Sequence, residues 1–197
     1  LEDGSPIANF ACEEVRVVSR RDAYNSNGND ILAVNCGGVW GLCDENGSFI
    51  VKPAYENIGY FYGDYADFTQ NGKKGLLNYK GKVVFKAEWD DLIVYDNSIS
   101  VCKEGLWGAA ADIDSGKLSI EPIYDFIAGY GNYGYACFER GGKYGVIDKD
   151  GNEIIPAKYD GMVNTQSVLE KGYFLVDGDN GPSSAGIVDA GGKGLCV

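Results

Sequence analysis

The chain has 197 residues, 45% hydrophobic and 23% charged, and a formal net charge of −12. This is the composition of a folded globular chain. Its acidity argues against nucleic acid and anionic membrane surfaces, which select basic patches. No apolar run approaches the roughly 18 residues of a spanning helix, so no membrane insertion is expected. Histidine is absent, which excludes Ser-His-Asp and Cys-His nucleophile systems and the usual His-bearing zinc sites.

The sequence begins at Leu1 and its only methionine is Met162. The native start is therefore expected upstream, where an export signal would not be visible. The N-terminal segment 1–30 contains one strand-like run, Asn9 to Val18, "NFACEEVRVV". From residue 31 the chain repeats itself over about 31–64, 65–97, 98–131 and 132–171, with a partial copy at 172–197. A glycine after an aromatic-type position marks each copy: Gly41, Gly75, Gly108, Gly145 and Gly186. Turn glycines follow at Gly47, Gly81, Gly116, Gly151 and Gly192. Eight residues beyond each of the first four stands an aromatic followed by an acid: Tyr55-Glu56, Trp89-Asp90, Tyr124-Asp125 and Tyr159-Asp160. Self-similarity at a period of 33–41 residues indicates a repeat architecture in one repeat domain, 1–197.

Within a copy the period is that of strands. Val146 to Asp148 and Glu153 to Ile155 flank "KDGN", an Asp-Gly hairpin signal. Another run, such as "ILAVNC" or "GYACFER", precedes each marker glycine. Each copy reads as four short antiparallel strands: pre-glycine, glycine, post-turn and aromatic. The marker glycine is expected where a side chain would collide with a neighbouring backbone or ring. The fixed aromatic is expected to be buried between stacked units, because one unit cannot bury both faces of so short a sheet.

"VWGLCDENG", "LWGAAADIDSG" and "KYGVIDKDG", each followed by an apolar run and Tyr-acid, resemble the bacterial WG-repeat family over roughly residues 31–197. Lys74, Tyr144 and Ala185 stand where that family has Trp. The resemblance implies a repeat scaffold and supplies no catalytic residues.

The expected fold is all-β, a five-bladed propeller-like ring with end-to-end closure. The last copy lacks its aromatic strand, and Asn9–Val18 is expected to supply it by pairing with Gly194–Val197. An open twisted array of β-hairpins is the alternative, favoured by repeats shorter than the roughly 40 residues of a typical blade.

Six cysteines, Cys12, Cys36, Cys43, Cys102, Cys137 and Cys196, contain no CxxC pair. They read first as small buried hydrophobes, with disulfides in an exported protein as the other reading. Cys43 aligns with Leu77, Ala110, Ile147 and Val188, and Cys196 with Val51, Phe85, Ile120 and Ile155. Both are therefore expected to be buried and not bonded to each other. The acidic turns at 44–46 and 148–153 lack the EF-hand spacing, so no metal and no cofactor is expected. The recurring acids mark a structural position rather than a unique catalytic pair. The two tyrosine-rich segments, "GYFYGDY" at 59–65 and "GYGNYGY" at 129–135, nominate a flat amphipathic binding surface: Tyr60, Tyr62, Tyr65, Tyr130, Tyr133 and Tyr135. Their packing against the next unit is the competing reading.

The function these features imply is a non-catalytic binding or scaffold module for an unknown protein or glycan, at the surface of or outside a bacterium, with no nucleic acid partner. A carbohydrate-active hydrolase using acids in a cleft is the alternative.

Overall fold

The computed structural model describes residues 12–19, 30–130, 134–163, 173–177, 185–189 and 193–196. They form five four-stranded antiparallel sheets whose strands follow chain order, and one short 3₁₀ turn, Ile113–Ser115. The chain divides into two compact units, Leu1–Leu92 and Ile93–Val197.

The first unit holds two sheets. One is β1 (Glu14–Ser19), β2 (Ile31–Cys36), β3 (Val39–Asp44) and β4 (Phe49–Tyr55); the other is β5 (Asn57–Ile58), β6 (Tyr65–Gln70), β7 (Lys73–Asn78) and β8 (Val83–Trp89). Val18, Ile31, Ala33, Trp40 and Leu42 of the first sheet and Ile58, Ala66, Phe68 and Leu77 of the second form one buried cluster. The period-2 pattern of each strand sends these side chains to one face.

The second unit holds three sheets, with the unit boundary falling inside the first strand. They are β9 (Asp91–Val94), β10 (Ile99–Lys103), β11 (Leu106–Ala110) and β12 (Ile120–Tyr124); β13 (Phe126–Ile127), β14 (Tyr135–Arg140), β15 (Lys143–Asp148) and β16 (Glu153–Tyr159); and β17 (Gly161–Val163), β18 (Tyr173–Asp177), β19 (Ala185–Asp189) and β20 (Gly194–Cys196). One cluster joins Ala109, Ile120 and Tyr124 to Ile127, Tyr130, Ala136, Phe138 and Ile147. Another joins Cys137, Val146 and Ile155 to Phe174, Val176 and Val188.

The marker glycines answer to a close approach. Trp40 pairs with Tyr55 and Leu42 with Val51, so β4 bulges opposite Gly41. A Cβ on Gly41 would lie 2.6 Å from the Val51 carbonyl oxygen and 2.7 Å from the Pro53 nitrogen. Gly145 repeats this against the Ile155 carbonyl and the Phe138 ring. The fixed aromatics lie opposite the Trp position in every described copy: Tyr55 on Trp40, Trp89 on Lys74, Tyr124 on Trp107 and Tyr159 on Tyr144. None of them is exposed, and Tyr55 and Tyr124 pack on Phe68 and Phe138 with ring centroids 4.3 and 4.5 Å apart.

The allocation of strands differs from the expectation. The fixed aromatic ends the fourth strand of its sheet, and the residues after the acid open the next sheet. The backbone shows why: Glu56 N–H donates to the Thr69 carbonyl and Gly59 N–H to that of Asp67, both on β6. Sheets are thus one strand out of phase with the sequence repeat. The last sheet takes its first strand, β17, from the copy before it, which gives it four described strands. The N-terminal run pairs with β2 as the first strand of the first sheet, and β20 pairs with β19. Pairing between the N-terminal run and β20 is therefore not the arrangement of the described strands; Asn9–Ala11 and Val197 lie outside them.

Cysteine usage also divides. Cys43, Cys102 and Cys137 are buried thiols outside any disulfide, as core replacements should be. Burial pushes the Cys137 thiol up to about 12. Cys12 and Cys36 instead form a disulfide across the head of the first sheet, at half-exposed positions where no core claims the sulfurs. The Cys196 side chain lies outside the described residues.

Candidate functional site

The tyrosine segment of the first unit rests on three supports. Phe61 turns inward against the first core, and its N–H donates to the Val18 carbonyl at 2.9 Å, fixing residues 59–61 beside the end of β1. Tyr62 and Tyr65 exchange backbone bonds of 2.8 and 3.2 Å around a turn in which Gly63 has φ 58°. Gly59 passes so close to the Asp67 carboxylate that a Cβ would collide with it. On this frame Tyr60 and Tyr62 are 67% and 57% exposed, while Tyr65 is buried.

Behind Tyr60 stands a cation the sequence reading missed. Arg16 on β1 places its guanidinium 4.0 Å from the Trp40 ring centroid and 6.0 Å from that of Tyr60. Its Nη2 donates to Asn57 Oδ1 at 2.8 Å and to the Ile58 carbonyl at 2.6 Å. Arg16 thereby joins both sheets of the unit under the tyrosine surface. The alternation in "EVRVV" was the available signal: it puts Arg16 on the face opposite Val15 and Val17.

The corresponding segment of the second unit does the opposite. Tyr130 is 1% exposed within the second core, and its hydroxyl has no hydrogen-bond partner among the described residues. Desolvation first, then the nearby Asp148 charge, raises its pKa well above the ordinary tyrosine value. Tyr135 is half-buried, edge-on to Phe174 at 6.1 Å. Tyr133 lies outside the described residues. Of the six nominated tyrosines, Tyr60 and Tyr62 form a surface pair.

The acids serve the frame. Glu56 and Asp125 each accept the N–H of a hairpin glycine in the following sheet, Gly72 at 3.1 Å and Gly141 at 2.6 Å. Asp90 and Asp160 pair with Lys73 and Lys143. The turn acids Asp44 and Asp148 each accept two backbone N–H groups of their own turns, the usual reason for Asp there. No cluster of three or more metal-ligating side chains occurs among the described residues, and no described helix is long and apolar enough to cross a membrane. Where carboxyl pKa values move, they fall. Asn152 holds Asp148 down, and the Arg140 guanidinium, at 2.6 and 2.9 Å, holds Glu153 down. Burial and the bond to Glu153 push Tyr124 up to about 12.

The family model of the WG containing repeat matches at residues 40–73, 114–144 and 144–176. The chain carries WG repeats. Two matches begin at the aromatic before the marker glycine, Trp40 and Tyr144. In the copy between these matches, where Lys74 stands at the Trp position, the lysine instead bonds Asp91 at 2.6 Å. No curated protein matches the chain in sequence. Among solved structures, a eukaryotic initiation factor is similar with a TM-score of 0.52 at 11% identity, over 93% of this chain and 54% of that one. Hsv2p of Kluyveromyces lactis gives a TM-score of 0.43 at 12% identity, over 92% and 61%. A putative TolB of Agrobacterium tumefaciens gives 0.37 at 16%, over 93% and 80%. The WG-repeat chain thus spans about half the length of the initiation factor. At such identity the likeness is one of fold: tandem four-stranded sheets of the propeller-like kind.

Proposed function

We propose that this WG-repeat chain is a non-catalytic binding module whose contact surface is the Tyr60–Tyr62 pair of the first unit. The observation that carries the reading is the exposure of both rings on a frame fixed by Phe61, the Tyr62–Tyr65 turn and Arg16. Rigid exposed tyrosines supply large amphipathic contact area at low entropic cost. The partner is a protein or a glycan. A hydrolase is disfavoured because the recurring acids are committed to hairpins and ion pairs, and the two shifted carboxyls move away from the raised pKa a general acid needs. Calorimetric titration of candidate oligosaccharides and proteins against the chain and its Tyr60→Ala/Tyr62→Ala variant tests this. A ligand whose affinity is unchanged in a folded double variant places binding elsewhere.

The same reading puts the module outside the cytoplasm, at the surface of or beyond a bacterial cell. The Cys12–Cys36 disulfide supports it, since such bonds persist in oxidising compartments. Cell fractionation with thiol trapping is the check; a reduced, cytoplasmic native protein overturns it.

A further inference from the structure

We infer that the outer edge of β1, which no described strand pairs, docks beside Tyr60 and Tyr62 a basic, extended polypeptide segment of a partner as an added strand of the first sheet. The inference rests on the binding-module reading and specifies the partner's chemistry and pose.

Hydrogen-bond parity identifies the open backbone groups. Cys36 and Val39 close a two-residue turn over Gly37 and Gly38, at φ 67° and 82°. Such a closing pair exchanges both its bonds, and bonded pairs then alternate along the ladder. Cys36, Val34 and Leu32 therefore bond β3, which leaves Asn35 and Ala33 to bond β1. In register they face Glu14 and Arg16, and the Glu13 N–H beside Glu14 also turns inward, donating to the Asn35 carbonyl at 2.8 Å. The N–H and C=O groups of Val15 and Val17 consequently point away from β2, to the edge of the sheet. At Val18 that edge is filled by Phe61. The strands that open the other four sheets have two to four residues, against six in β1, so β1 presents an edge its counterparts are too short to form. Val15 and Val17 are also exposed.

A row of open donors and acceptors is a template for strand addition. Charge selects the strand. The chain carries −12 overall, and exposed Glu13 and Glu14 stand at the head of this edge. Tyr60, stacked on Arg16 from one side, offers its open face to a further guanidinium or ammonium group. A segment alternating Lys or Arg with β-branched residues meets all three features. A second copy of this chain would bring another −12 to the same place.

The test titrates an alternating Lys-Val octapeptide into the full chain by calorimetry, with a Glu-Val octapeptide and a neutral cello-oligosaccharide as controls. The Lys-Val peptide is expected to bind, at least about tenfold more weakly in high salt. Val15→Pro removes only an outward N–H, which an edge strand tolerates. It should abolish binding while the melting temperature holds. A Lys-Val peptide N-methylated at alternate residues asks the same question of the unaltered protein and should not bind. Failure of the Lys-Val peptide to bind overturns the inference, as does equal binding of the Glu-Val or N-methylated peptide, or binding of the oligosaccharide alone. Sedimentation showing a dimer that Val15→Pro dissolves would assign the edge to a second copy and likewise overturn it. Binding that survives Val15→Pro but is lost in Tyr60→Ala/Tyr62→Ala rejects the strand edge and leaves the tyrosine surface standing.

Discussion

After Ile58 the first unit continues Gly59-Tyr60-Phe61-Tyr62, and after Ile127 the second continues Ala128-Gly129-Tyr130. Ile58 and Ile127 are both fully buried, and the next residue of each donates its N–H to the neighbouring strand, Gly59 to Asp67 and Ala128 to Cys137. Three residues past each isoleucine an aromatic turns inward: Phe61 in one unit, Tyr130 in the other. The position between is Tyr60 in the first unit and Gly129 in the second, where the Tyr95 ring lies so close that a Cβ would collide with it. One backbone step thus yields an exposed aromatic surface in one unit and a covered core in the other. A shift of one residue in where the tyrosines fall decides which, because neighbouring side chains in extended chain point to opposite sides.

The largest test of this contrast is a matched pair of truncations. Tyr130→Ala should cost about 3–5 kcal/mol, as for other buried aromatics, whereas Tyr60→Ala should stay within about 0.5 kcal/mol. Urea denaturation measures both. Similar costs at the two positions would erase the contrast.

The Tyr60 surface also depends on β1 being held in place, since Arg16 and the Val18 carbonyl both lie on it. The Cys12–Cys36 bond spans 24 residues of sequence. Replacing both cysteines by serine should cost about 3 kcal/mol through the freed unfolded chain. A thermal scan showing no loss would mean that β1 is anchored by its strand pairing and by Arg16 without the bond.

How much of this was legible beforehand varies with how local the cause is. The marker glycines, the fixed aromatics, of which Trp89 and Tyr124 are buried and Tyr55 and Tyr159 half-buried, and the structural acids follow from fixed spacing, because each repeats one local constraint four or five times. The phase of the sheets did not show. A strand after the acid looks the same whether it closes its own sheet or opens the next, and the bonds from Glu56 and Gly59 to β6 that decide it are tertiary. Tyr60 and Tyr130 each follow a glycine, so their segments look equivalent in sequence, yet the structural partner of Tyr130 is Phe61. Arg16 was invisible as a site residue because its partners, Trp40 and Ile58, lie far along the chain. The disulfide was left open for the same reason.

Arg16 offers the next sharpest test. Its part-buried bond to the Ile58 carbonyl and its stack on Trp40 join the two sheets. Arg16→Ala should cost about 2 kcal/mol, in the range for a charge-assisted hydrogen bond. Arg16→Lys should recover little of it, because an ammonium lacks the planar fork that bonds Asn57 and Ile58 while stacking on a ring. Full recovery by lysine would show that charge alone suffices.

The smallest effect expected has the opposite sign. Tyr130 buries a hydroxyl with no described partner, where Phe61 in the first unit packs a half-buried plain ring on the core. Tyr130→Phe removes the uncompensated desolvation and should raise stability by about 1 kcal/mol. The pH dependence gives a second readout. A tyrosine whose folded pKa is raised contributes stability that is fully present below its unfolded value, about 10, and lost as pH climbs toward the folded one. The unsubstituted chain should therefore lose stability above roughly pH 10, and Tyr130→Phe should lose less of it, with the remainder due to other tyrosines such as Tyr124. If the phenylalanine variant is instead destabilised at neutral pH, the hydroxyl has a partner in solution. The buried ring of the second unit would then be a polar anchor, and the contrast between the units would extend from exposure to hydrogen bonding.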